Sequence, residues 1–158
     1  MKKILHDSSV ARLEFAKIMG NKNAYHTFLL FTVKQLKTDG EDFGELCKDL
    51  ANIYKNLHKK GIKFCQIYDL TKTKITNIYN ETIFVKRYGD YLDKYANILI
   101  ESCHGTALVI ESHVVTKLIN TGLTWYTHKK PTQVKNNHKE AYKWLLTTIP
   151  DENFVASD

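Results

Sequence analysis

The order of apolar runs and amphipathic segments predicts a single α/β domain: a mixed sheet of about five strands with four helices, in the order β-β-α-β-α-β-α-β-α. Three observations carry this. Short apolar runs alternate with segments of helical period, which implies parallel strands joined by right-handed crossovers. Two strand-like runs lie next to each other near the start, with a Gly/Asn turn between them, which adds an antiparallel pair. The length of 158 residues matches one domain of about 100–200 residues, and such a chain buries roughly 68–70% of its unfolded surface without a staple. The elements fill residues 9–149. Residues 1–8 read as an N-terminal extension and 150–158 as a frayed C-terminal tail.

The first strand is read over 9–18, where Leu13 and Phe15 alternate with Arg12 and Glu14. That is the two-residue period of a half-buried strand. MGNKN then turns the chain, with Gly20 and two asparagines that tolerate positive φ. The apolar run YHTFLLFTVK (25–34) completes a hairpin. In the following segment, Phe43, Leu46, Cys47, Leu50, Ile53, Tyr54 and Leu57 recur at helical spacing, giving one apolar stripe. Thr38 or Asp39 is placed to cap this helix, and Gly61 to stop it.

IKFCQIYDL (62–70) is apolar enough for a central strand buried on both faces. After the polar stretch 71–80, one long helix is expected over 81–102, with Tyr88, Tyr91 and Tyr95 on its inner face and Gly105 marking its end. TALVIES (106–112) reads as another buried strand. A short helix over 113–123 follows, with Val114, Val115, Leu118 and Ile119 inside. The closing unit has a Pro-led strand at Pro131–Val134, a polar turn at Asn136-Asn137, and a helix carrying Ala141, Trp144, Leu145 and Ile149 on one face.

Composition narrows the functional classes. Hydrophobic residues make up 43% and charged residues 25%, ordinary for a soluble globular domain. The net charge of +6 comes from 23 Lys+Arg against 17 Asp+Glu. These cations are dispersed, and only Arg12 and Arg87 are arginines, a poor supply of the planar forks that grip phosphates and bases. Nucleic acid is therefore not the expected partner. Cys47, Cys65 and Cys103 cannot all pair with one another, and their spacing fits no zinc pattern. The N-terminal apolar stretch is too short for a signal peptide, and no apolar run nears the ~18 residues of a membrane span. The expected setting is cytoplasmic, with the oligomeric state left open.

Three stretches carry a family resemblance. CQIYDLTKTKIT looks like an apolar central strand ending in Asp-Leu-Ser/Thr, with the loop after it. GTALVIESHVVTKLINTGL looks like the next strand and helix, and KKPTQVKNNHKEAYKWLL like the closing unit. Together they resemble the STAS domain, the fold of SpoIIAA-like anti-sigma-factor antagonists, over about residues 9–148. The resemblance implies a STAS-like fold and a non-enzymatic regulatory or protein-interaction module with a protein partner and no cofactor. It also places the working surface on the 71–80 loop, at Thr71, Thr73, Thr76, Asn77 and Tyr79. The family's Asp-Ser-Ser-Gly element, whose serine is phosphorylated, falls here on Asn77, Ile78, Tyr79 and Asn80. The serine and glycine are missing, so any phosphorylation moves to Thr71, Thr73, Thr76 or Tyr79. Loop threonines also commonly satisfy a turn with their hydroxyls. The alternative is a small-ligand or lipid-binding domain, made by an apolar helix that stands away from the sheet.

No catalytic motif accompanies this pattern. Cys103-His104 is the one thiol–imidazole neighbour pair considered as a nucleophile, but adjacent side chains diverge in helices and strands. The seven histidines show no HxH, HxxxH or HExxH grouping, and the glycines never cluster as a phosphate loop. Glu41, Asp42, Glu45 and Asp49 sit where a helix dipole favours acids. No metal site is expected.

Overall fold

The computed structural model describes residues 2–75, 78–113, 115–117, 119–120 and 130–153. Six strands form one sheet in strict chain order: β1 (Lys2–Asp7), β2 (Ala11–Met19), β3 (Tyr25–Val33), β4 (Phe64–Asp69), β5 (Cys103–Val109) and β6 (Thr132–Lys135). β1–β2 and β2–β3 are antiparallel, and β3–β4, β4–β5 and β5–β6 are parallel. The mixed sheet is as expected, with one strand more. Residues 2–7, read from the sequence as an extension, form an edge strand instead. Four of its six residues are exposed, so it carries little of the apolar alternation that marks a strand in sequence.

Helices follow from the same order. Successive right-handed crossovers that always step the same way along a sheet stack their helices on one face. α1 (Glu41–Lys59), α2 (Ile78–Asp93) and α3 (Ala96–Ser102) share a core with Leu13, Leu29, Phe31 and Tyr68 from the sheet. Val115 and Ile119, in the helical residues described between 113 and 120, join it. Val114, Leu118 and residues 121–129 lie outside the described residues. α4 (His138–Thr148) and the short α5 (Pro150–Asn153) come after the last strand. α4 folds back over the opposite face, where Ala141, Leu145 and Ile149 meet Phe28, Cys65, Ile67 and Val109.

Local chemistry sets the element ends. α1 stops in a Schellman arrangement: Gly61 (φ 67°) donates to the His58 carbonyl at 3.0 Å and Ile62 to Leu57 at 2.9 Å. Its start differs from expectation. Gly40 (φ 88°) occupies the N-cap and no side chain caps the helix, neither Thr38 nor Asp39. The long helix expected over 81–102 is two helices, because Lys94 and Tyr95 close tighter bonds to Tyr91 and Leu92. The inward face continues across this break, with Tyr91 and Tyr95 rings 5.2 Å apart, so periodicity alone does not reveal it. At the other end, Asn137 accepts a hydrogen bond from the Glu140 N–H at 2.8 Å and caps α4.

Gly105 does not end a helix. α3 runs directly into β5, three residues earlier than expected, and Gly105 lies within that strand. A Cβ there would stand 3.1 Å from Thr148 Cγ2 and 3.3 Å from Leu145 Cδ2. The missing side chain lets α4 seat against the sheet. Gly105→Val therefore overpacks this seam, and we expect a loss of about 1–3 kcal/mol, read as a lower urea midpoint at unchanged slope.

Candidate functional site

β4 delivers side chains alternately to the two helix layers. Tyr68 points to the α2 side, stacking on Phe31 at 4.1 Å and meeting the Tyr88 hydroxyl at 2.8 Å. Asp69, one residue on, points to the α4 side. Its Oδ1 accepts from the Thr71 N–H at 2.9 Å and the Thr71 hydroxyl at 2.6 Å, and its Oδ2 lies 2.7 Å from His138 Nε2. Partial burial pushes this carboxyl up, but the bonds from Thr71 and His138 outweigh that and hold it below its ordinary 3.8. The Asp-Leu-Thr stretch thus pins the end of β4 to the start of α4.

The expected loop residues are placed unevenly. Thr73 donates its hydroxyl to the Val33 carbonyl at 2.8 Å, so both Thr71 and Thr73 hydroxyls hold the turn. Lys74 bridges to Gln35 in a short parallel pairing. Tyr79 is 75% exposed on the first turn of α2. Thr76 and Asn77 lie outside the described residues. Beside this loop a polar recess of about 500 Å3 is lined by Lys37, Asp39, Lys74, Asn80, Glu81 and Ile83, among others.

A second space lies deeper. Between α2 and the sheet there is a cavity of about 150 Å3. Phe31, Val33, Tyr68 and Leu108 form its floor, and Phe84, Tyr88 and Leu92 its roof. The lining is overwhelmingly apolar, and Gln66 is among its few polar members. Gln66 is itself satisfied, accepting from the Tyr54 hydroxyl and donating to Thr106 Oγ1 at 3.1 Å. The tyrosines expected to cover the sheet do so with their hydroxyls engaged: Tyr88 meets Tyr68, and Tyr91 donates to the Cys47 carbonyl. Sequence reasoning found the stripe but not the space beneath it.

Reactive groups are held in quiet surroundings. Burial pushes the Cys103 thiol up to about 11 and Cys65 to about 12, so neither presents a thiolate near neutral pH. Ser8, His6 and Asp49 stand in the hydrogen-bonded order of a nucleophile, base and orienting acid, with distances of 2.8 and 2.7 Å. Their neighbours give them a structural part as well. Val10 N–H points at Ser8 Oγ and Ser9 N–H at Asp42, so the two amides after Ser8 are engaged within the turn. The cluster ties the β1–β2 turn to α1. Among the described residues, no group of three or more His, Cys, Asp or Glu is placed to hold a metal, and no helix is long and apolar enough to cross a membrane.

No protein-family model matches the chain, and no curated protein does. A solved structure does: an uncharacterized protein of the DUF3478 family with a SpoIIAA-like fold, from Shewanella loihica PV-4. The likeness has a TM-score of 0.52, covers 89% of this chain and 98% of that one, and comes with 13% identity. The fold is SpoIIAA-like. At that identity the likeness speaks for architecture alone, since a fold does not by itself fix a function.

The Asp69 cluster makes a signed prediction. Its folded pKa lies below the unfolded value, so its stabilisation is full above about pH 4 and is lost as pH falls through the lowered value. Asp69→Asn should cost about 1–2 kcal/mol near pH 5, after allowance for partial exposure. In paired urea titrations, the gap to wild type should narrow progressively as pH falls below about 4.

Proposed function

We propose that this protein is a non-catalytic binding module whose ligand is a small apolar molecule seated between α2 and the sheet. The cavity of about 150 Å3 beneath α2 is the observation that carries this reading. An apolar space of about that size stays dry and admits a benzene-sized molecule in other proteins. Its apolar lining lacks partner atoms across the gap and so forgoes dispersion contacts. A ligand that fills it restores those contacts. The roof is suited to movement: α2 reaches the sheet through long aromatic side chains such as Phe84 and Tyr88. Outward displacement of the helix enlarges the space toward the roughly 300 Å3 of an ordinary ligand site.

A protein-interaction role for the 71–80 surface is the second reading, favoured by exposed Tyr79 beside the polar recess. It rests on Tyr79 more than on the threonines. Phosphorylation of Thr71 or Thr73 would first have to break the bonds that hold the turn. Affinity capture from native extract separates the readings. A salt-resistant protein partner lost in Tyr79→Ala supports docking here, and a partner unaffected by that change removes it.

For the ligand reading, benzene titrated into labelled protein should give saturable amide shifts in α2 and β4. Ala96→Phe, which projects a ring into the cavity from the first residue of α3, should abolish them while raising thermal stability. Equal shifts in both proteins would mean that benzene binds elsewhere and the reading is wrong.

A further inference from the structure

The turn between β2 and β3 is built around a carboxylate that comes from the far end of the chain. Asn21 N–H donates to Glu152 Oε2 at 2.9 Å, and His26 Nε2 lies 2.7 Å from Oε1. The Lys22 N–H also donates to this carboxylate. The Glu152 side chain is only 1% exposed. Successive backbone N–H groups that converge in a turn, here with Asn23 at φ 58°, make an anion-binding nest. Gly20 leaves room for it: a Cβ at that position would stand 2.7 Å from Glu152 Cδ and 2.8 Å from His26 Cδ2. Hydrogen bonds from His26 and the turn amides hold the Glu152 carboxyl below its ordinary 4.5 against desolvation.

The occupant is carried on a short element of its own. Glu152 sits on the four-residue α5, beyond Ile149, the last of the described residues in the α4-side core. The receptor, in contrast, belongs to the hairpin and is held by strand pairing up to Met19 and from Tyr25. A donor set held by the hairpin and facing a carboxylate on a four-residue helix is a receptor with a tethered ligand. Tethering raises the effective concentration of Glu152 at the turn, and an outside carboxylate must exceed it.

We infer that the β2–β3 turn is an exchangeable carboxylate-binding site, with Glu152 as its tethered occupant. An external carboxylate displaces Glu152 and releases α5 from the hairpin. The chemistry is shared by a free small carboxylate and an acidic peptide side chain, and the probes distinguish them. Sodium acetate serves for the first and a synthetic copy of residues 149–153 for the second. Each is titrated against a matched sodium chloride series while the Asn21 and Lys22 amide signals are followed.

In full-length Glu152→Ala, saturable shifts of these two amides should appear at a concentration at least about tenfold below that needed for wild type, since the tethered competitor is gone. His26→Ala in that background should weaken them, and Gly20→Ala should abolish them by filling the nest. Saturation by acetate, by the peptide or by both supports the site and names its source. Should Glu152→Ala fail to fold, Glu152→Gln is read in the same way, its neutral amide being the weaker competitor. Shifts that match the chloride series in the folded variant overturn the inference and leave Glu152 a purely structural latch.

Discussion

Side chains alternate along β4, and both helix layers depend on that alternation. Phe64, Gln66 and Tyr68 face α1 and α2, while Cys65, Ile67 and Asp69 face α4. The strand is hydrogen-bonded to β3 on one side and β5 on the other. Its backbone polar groups are therefore satisfied in the sheet, and the apolar run is free to be buried on both faces. Its last two residues set the geometry of the two candidate sites. Tyr68 enters the cavity lining and Asp69 anchors α4, so one residue of register slip would exchange the two roles.

The cavity beneath α2 is a consequence of how that helix is supported. α4 lies close on its face of the sheet because Gly105 removes a side chain from the seam. α2 rests on rings, Phe84 and Tyr88 stacked with centroids 6.0 Å apart, and its Gly89 adds no side chain to the space between them. Rings fill space well at their own contacts but cannot flow into the gaps between them, so a void persists inside an otherwise close-packed layer. The two faces of one sheet thus differ: a tight seam under α4 and an apolar chamber under α2.

Much of this was legible in the residues. The stripe from Leu46 to Leu57, the Gly61 stop, the positive-φ asparagine near residue 23 and the inward face of α4 all follow from local rules of spacing and dihedral freedom. β1 was not legible, because an exposed edge strand is held by backbone bonds and its side chains report little. The break at Lys94-Tyr95 carries no glycine or proline, and α3 meets β5 with no intervening turn. At the candidate site, the family resemblance pointed to Thr71 and Thr73, but their engagement with Asp69 and the Val33 carbonyl depends on partners that only folding supplies. Glu152 was least visible of all, lying in a stretch read as tail and joined to Asn21 and His26 across most of the chain.

The sequence by itself determined the class of fold, the order of nearly all its elements and the apolar face of each helix. These are properties of periods of 2 and 3.6 residues and of a few glycines, asparagines and prolines, and they act within a turn or a strand. The tertiary structure alone decided the sixth strand, the face on which α4 lies, the chamber under α2 and the carboxylate in the β2–β3 turn. Each arises from groups brought together by sheet order and packing. A void or a long-range hydrogen bond has no period along the chain, so local pattern cannot announce it.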